Sequence, residues 1–230
     1  MITPPLLNKL TVPTVTLEIC DAMAAAAGKP FSWAASLAVE PGSTVAFRAT
    51  GTLTSLLDQY ATYAYAYECE CPSALSIRAD SVKVALIARD GALVADITSL
   101  FTVTASGASL RVAAGDVLKA AGISKDSKLE LTYQAQVEPG ASAGDYAAYA
   151  HVEYSSPYDP RAIDASMEDG VTIAVRDRGS QGVQSGASLL ARNMPATGDA
   201  ALAGVLSTLA AGVITLLVGR ISRRRKAQEG

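Results

Sequence analysis

Three groups of residues in this 230-residue chain have types and spacings that chemistry could use. The first is Met194-Pro195-Ala196-Thr197-Gly198. Pro195 fixes its own backbone and biases Met194 toward an extended conformation. Gly198 leaves no side chain beside the Thr197 carbonyl, so the Thr197–Gly198 bond lies in an exposed, extended peptide that an enzyme can reach. The second group is Cys20, Cys69 and Cys71, an odd number of thiols of which the last two share a strand face. In an exported protein Cys20 could bridge to Cys69 or Cys71; the alternative is three reduced thiols. The third is the same cysteines with His151. Zinc favours two residues between paired cysteines, and Cys-x-Cys is a poorer clamp, so no metal is expected.

No catalytic constellation is expected either. His151 is the only histidine, and no Gly-x-Ser-x-Gly elbow accompanies it. It is expected as a solvated side chain on a strand face. Glu168 and Asp169 read as solvated carboxylates in a turn before the last strand. There is no phosphate loop, and no cofactor is implied.

The segment after Gly198 gives the pentapeptide its setting. Residues 200–219 run for 20 residues without a charge. At about 1.5 Å per residue, a helix of that length spans roughly 30 Å, a bilayer core. Arg220, Arg223, Arg224, Arg225 and Lys226 follow, against Glu229 alone, a side-chain sum of +4. The chain's net charge of −3 therefore leaves −7 on everything before that tail. A nucleic-acid binder carries its cations on the folded domain, so that class is excluded. An acidic body joined to a basic tip across an apolar run is a membrane boundary with its positive end in the cytoplasm.

Cleavable peptide, apolar span and cations, in that order, resemble the cell-wall sorting signal of Gram-positive surface proteins. The family's pentapeptide is Leu-Pro-x-Thr-Gly, and Met194 for Leu is the one departure here. The resemblance implies that a sortase cysteine attacks the Thr197 carbonyl and cleaves between Thr197 and Gly198. A peptidoglycan cross-bridge amine or a pilin lysine then takes the acyl group. The chain would be the substrate of a catalyst and not itself an enzyme.

The acidic body reads as an all-β, immunoglobulin-like sandwich. Period-two alternation bounded by turn residues marks strands over 43–53, 60–70, 81–88, 128–137, 146–154 and 171–175. A further pair flanks Gly107. Tyr63, Tyr65, Tyr67 and Cys69 fall on one face. One short helical insert is expected in "GDVLKAAGI". Seven to nine strands at this spacing fit a two-sheet sandwich. The expected divisions are an N-terminal segment 1–9, a sandwich 10–176, a Gly- and Ser-rich stalk 177–193, the motif 194–198, a transmembrane helix 200–219 and a basic tail 220–230.

Three stretches, "TVPTVTLEICD", "PGSTVAFRATGTLTSLLDQYATYAYAYECECPSALSIRADSVKV" and "LELTYQAQVEPGASAGDYAAYAHVEYSSPYDP", together resemble the D2-type fimbrial isopeptide domain of Gram-positive pilins, a relative of the CnaA-type sandwich. In that family a first-strand lysine bonds covalently to an asparagine on the last long strand, driven by a buried aspartate. Mapped onto this chain, the lysine position is Leu17, the aspartate position Cys69 and the asparagine position Ala148. All three are changed, so the resemblance implies a domain without the internal isopeptide bond. Neither the lysine-bearing "YPK"-type motif nor the "ETxAPxGY"-like box of shaft subunits is present. The expected protein is a wall-tethered adhesin-like or minor pilin-like subunit. "MITPPLLNKL" lacks a basic n-region and an apolar h-region, which an exported chain needs. That lack and the three changed positions suggest one alternative, a C-terminal fragment of a larger adhesin; the other is a membrane-retained surface protein in which the Pro-x-Thr-Gly is accidental.

Overall fold

The computed structural model describes residues 11–28, 32–159 and 162–177. The stalk beyond 177, the motif 194–198, the apolar run 200–219 and the tail 220–230 all lie outside the described residues. Among the described residues no helix is long and apolar enough to cross a membrane. Residues 1–181 cluster as one compact unit, separate from 182–230. Among the described residues, its hydrophobic core is drawn from between Val15 and Val175.

Alternation builds the strands. β1 (Val15–Asp21) turns Val15, Leu17 and Ile19 inward. Asp21 ends it by accepting the Met23 and Ala24 amides at 2.8 and 3.2 Å, which caps the single-turn helix α1 (Ala22–Ala26). β2 (Ser36–Val39) and β3 (Thr44–Thr52) follow. β3 alternates without a break, Val45, Phe47, Ala49 and Gly51 being buried. β4 (Tyr65–Glu70), β5 (Leu75–Ile87), β6 (Leu93–Asp96), β7 (Thr102–Ser106) and β8 (Ser109–Ala114) make the middle of the chain. β9 (Lys128–Val137), β10 (Gly144–Ser155), β11 (Ile163–Ala165) and β12 (Asp169–Val175) complete it.

These strands form two sheets. One runs β1-β3-β9-β5-β6; the other runs β2-β12-β10-β4-β8-β7, with β11 beside β10. Every pairing is antiparallel except β2 with β12. The inward faces meet in one core, where Val45, Phe47, Leu86, Leu110, Leu129, Leu131, Val152 and Ile173 are fully buried. Each such side chain contributes about 1.5–3 kcal/mol by leaving water. The expected two-sheet sandwich is what the chain forms.

Three local expectations change. The strand expected over 60–70 begins only at Tyr65, because a 3-10 turn occupies Leu57–Gln59 and Asp116 Oδ1 takes the Tyr63 amide at 3.1 Å. The insert at 115–123 is a 3-10 turn, Val117–Lys119, its amide at Leu118 capped by the same Asp116 carboxylate. The strand expected over 81–88 starts at Leu75. Its ladder with β9 slips between Arg78 and Lys83. There Ser81 bridges the gap, Oγ donating to the Arg78 carbonyl at 2.6 Å and accepting the Gln134 amide at 2.8 Å. The polar run "RADS" at that slip hides the strand's first half from an alternation test.

Candidate functional site

Three of the positions singled out by sequence lie in the common core. Leu17 lies on β1, Cys69 on β4 and Ala148 on β10, all buried in the common core. β1 belongs to one sheet and crosses against β10 and β12 of the other. Ala150 faces Cys69 across the β10–β4 ladder and Asp169 across the β10–β12 ladder. Leu17, Cys69 and Ala148 carry no amine, carboxylate or amide, so their side chains supply none of the groups an isopeptide bond needs. Lys9 and Lys29 lie outside the described residues.

Asp169 is the residue that sequence reading misplaced. It is half-buried at the start of β12, and its Oδ2 accepts the Leu17 amide at 2.8 Å. The bond runs from an edge strand of one sheet to a strand of the other. The signal was parity: Val171, Ile173 and Val175 point inward, and Asp169 continues the same face. Glu168 is exposed as expected, with Oε1 3.9 Å from His151 Nδ1. His151 itself is half-buried on the outer face of β10.

Asp169→Ala leaves the Leu17 amide without its acceptor, at a cost of about 1–3 kcal/mol. Asp169→Asn keeps an oxygen in place and is expected to cost less. Amide hydrogen exchange at Leu17 should accelerate in Asp169→Ala before the rest of β1 does. Unchanged exchange there would mean the bond does not hold the strand.

The middle of the core is aromatic. Tyr63, Tyr65 and Tyr67 stand in a row, with ring centroids 6.5 and 5.4 Å apart. Phe47 stacks on Tyr133 at 4.9 Å. Buried hydroxyls need acceptors: Tyr67 donates to the Leu129 carbonyl at 2.6 Å and Tyr65 to the Thr52 carbonyl at 3.3 Å. Gly51 makes room for this. A Cβ there would meet the Tyr67 hydroxyl at 3.0 Å and Tyr65 Cζ at 3.1 Å, with the Tyr65 hydroxyl nearer still.

Cys20, Cys69 and Cys71 are all buried and all free thiols. Cys69 and Cys71 belong to the common core, whereas Cys20 is buried outside it. Leu17 and Ile19 hold the inward face of β1, which turns Cys20 the other way. Cys20 therefore stands apart from Cys69 and Cys71 in the structure, which holds all three as free thiols. The same separation scatters the four candidate zinc ligands. Among the described residues, no three His, Cys, Asp or Glu side chains gather around one point.

Burial, and then the neighbouring Cys71, pushes the Cys69 thiol up to about 12; burial pushes Cys71 up to about 11. Cys71 Sγ lies 3.9 Å from the Tyr133 hydroxyl. At pH 8 a maleimide should leave Cys69 and Cys71 unmodified in the folded protein and label both in denaturant. Stability should also depend on pH in a stated direction. Below the ordinary thiol value of 9.0 both states keep these protons. Above it the unfolded chain loses them first, so stability falls as pH rises toward 11 and 12. Urea midpoints between pH 7 and 11 check this, and a midpoint that rises with pH would contradict it.

The outer face of the five-stranded sheet bears a shallow groove of about 940 Å³ lined by Glu18, Arg48, Lys83, Lys128 and Glu130 among others. Arg48 is fixed there, bonded to Glu18 at 2.6 Å and lying 4.6 Å from the Trp33 ring centroid.

No protein-family model matches the chain, and no curated protein does. Solved structures do. The major pilin subunit BcpA of Bacillus cereus is 18% identical over 72% of this chain and 41% of its own, with a TM-score of 0.53. The full-length major pilin SpaD of Corynebacterium diphtheriae is 16% identical over 70% of this chain and 34% of its own, with a TM-score of 0.48. The C-terminal domain of the Streptococcus pyogenes antigen I/II-family protein AspA is 14% identical over 70% and 46%, at 0.49. The chain thus spans about two fifths of the Bacillus pilin subunit, and its described body has the β-sandwich fold found in that pilin.

Proposed function

We propose that this chain is a Gram-positive surface protein, adhesin-like or minor pilin-like, that a sortase cleaves between Thr197 and Gly198. Thr197 becomes the anchored end, joined to a peptidoglycan cross-bridge amine or a pilin lysine, while residues 198–230 stay in the membrane. The observation that carries this reading is the order of Met194–Gly198, the uncharged run 200–219 and the cations from Arg220 to Lys226. The pilin-type sandwich in front of them supports it independently. Its own part is structural. Leu17, Cys69 and Ala148 leave it without an internal isopeptide bond, and the Asp169–Leu17 bond ties β1 to β12 non-covalently.

Deleting the sortases of the producing cell tests the reading. The chain should move from the muralytic-enzyme-released wall fraction to the membrane fraction and gain the mass of its uncleaved C-terminus. Identical fractionation with and without the sortases would favour a membrane-retained protein in which the pentapeptide is incidental.

A further inference from the structure

The two lateral sides of the sandwich are finished differently. On one side β1 and β2 bring their sheets together. Ile19 exchanges both backbone bonds with Ala34, at 2.9 and 3.0 Å, and the Leu17 amide is taken by Asp169. The outward Leu17 amide and both outward groups of Ile19 are thereby occupied. On the other side stand β6 and β7, the free edges of the two sheets. β6 is four residues long and ends on Asp96, a short, charged edge of the kind that discourages pairing.

β7, one residue longer, has no such charge. Thr102–Ser106 contains no charge and no proline, and every residue but Val103 is exposed. Its register with β8 fixes which groups are open. Gly107, at φ +60°, turns a two-residue hairpin that pairs Ser106 with Ser109. The Cys71 amide bonds the Ala108 carbonyl at 2.8 Å, so Ala108 and Leu110 turn their backbone groups toward β4, and Ser109, Arg111 and Ala113 turn theirs toward β7. On β7 this commits Thr102, Thr104 and Ser106 to β8. The N–H and C=O groups of Val103 and Ala105 point away from the sheet, and among the described residues none of them has a backbone partner.

We propose that β7 is a strand-pairing surface whose occupant is β7 of a second copy of this chain. An antiparallel pair centred on Thr104 sets Val103 against Ala105 of the partner copy and Ala105 against Val103 of the partner copy. All four open groups of each strand are then satisfied, and four hydrogen bonds cross the interface. The two Thr104 side chains meet on the twofold axis as a non-hydrogen-bonded pair, a favourable threonine–threonine contact with Cα atoms about 4.5 Å apart. Because β7 carries no charge, two identical copies bring no like charges together. The contact is isologous and closes at two, so the seven-stranded sheets of two copies become one continuous sheet.

The test uses residues 1–181, the compact unit that holds the described core, in sedimentation velocity over a wide concentration range. A monomer–dimer equilibrium is expected. Ala105→Pro removes an outward amide without touching the β7–β8 ladder, and Thr104→Lys places two cations on the axis. Either variant should raise the concentration at the dimer midpoint by about tenfold or more, with thermal melts confirming that both remain folded. Leu93→Lys on β6 should leave the equilibrium where it was. Thr104→Cys should form a cross-copy disulfide under mild oxidation, and Asp126→Cys should not. A monomer at every concentration, a dimer indifferent to Ala105→Pro, or masses running past two copies would each overturn the proposal.

Discussion

Gly51→Ala is expected to lower the melting temperature of the sandwich by roughly 5–10 °C, the effect of about 2–3 kcal/mol of overpacking on a domain of this size. Gly51 is the penultimate residue of β3, opposite Val15 on β1 and Leu129 on β9. Its backbone is ordinary extended strand, so no left-handed conformation demands glycine here. The demand comes from across the core, where the hydroxyls of Tyr65 and Tyr67 fill the space a Cβ would take. Those hydroxyls cannot swing away without losing the Thr52 and Leu129 carbonyls. A double variant separates this cause from a loss of strand propensity. Tyr65→Phe alone removes one hydrogen bond, worth about 1 kcal/mol. Added to Gly51→Ala it removes the worst contact, so the double variant should melt above Gly51→Ala alone. Strict additivity of the two losses would place the cause elsewhere.

Thr197→Ala is expected to lower the wall-linked fraction by about tenfold or more, each 1.36 kcal/mol of lost transition-state contact being a factor of ten. The proposed chemistry forms its acyl bond at the Thr197 carbonyl, so the side chain of Thr197 is the one held closest to the reacting atom. Pro195→Ala should also reduce anchoring, because the preset extended backbone at Met194 is lost and the peptide must be ordered on binding. Met194→Leu should anchor at least as well as the natural chain, since the two side chains are both apolar, unbranched at Cβ and similar in volume. Uncleaved protein should accumulate in the membrane in proportion to the loss. Equal wall-linked amounts of Thr197→Ala and the natural chain would remove the pentapeptide from the account.

Much of the sandwich was legible because its strands alternate cleanly. The uninterrupted alternation of β3 and β9 reads directly from "TVAFRATGT" and "KLELTYQAQV". What escaped depended on long-range partners. The start of β4 was misplaced by five residues because Asp116, some fifty residues on, takes the Tyr63 amide. The first half of β5 was hidden by polar residues whose ladder is completed by a serine side chain. β2 is short, and its parallel pairing with β12 could not be inferred from local pattern.

The candidate site divided in the same way. Leu17, Cys69 and Ala148 were placed by resemblance, and their shared burial follows from apolar character at inward positions. Asp169 was read as a turn residue, although it falls on the inward parity of "DGVTIAV". Composition argued for solvent and periodicity argued for the core. A carboxylate at the end of an inward face is worth testing for a buried amide before it is assigned to water. The separation of Cys20 from the other two thiols was already implicit in its odd spacing from Leu17, which the structure resolves as opposite faces of β1.

Sortase anchoring and the absence of a covalent clamp are both read from the intact mass of the chain released from cell walls by a muralytic enzyme, taken with and without reductant. The account predicts a chain ending at Thr197, carrying a wall-derived fragment, with no loss of an ammonia or a water to an internal crosslink and no change on reduction. A chain that retains residues 198–230 would contradict sortase anchoring. A mass short by one ammonia or one water would contradict a sandwich held together without a covalent clamp.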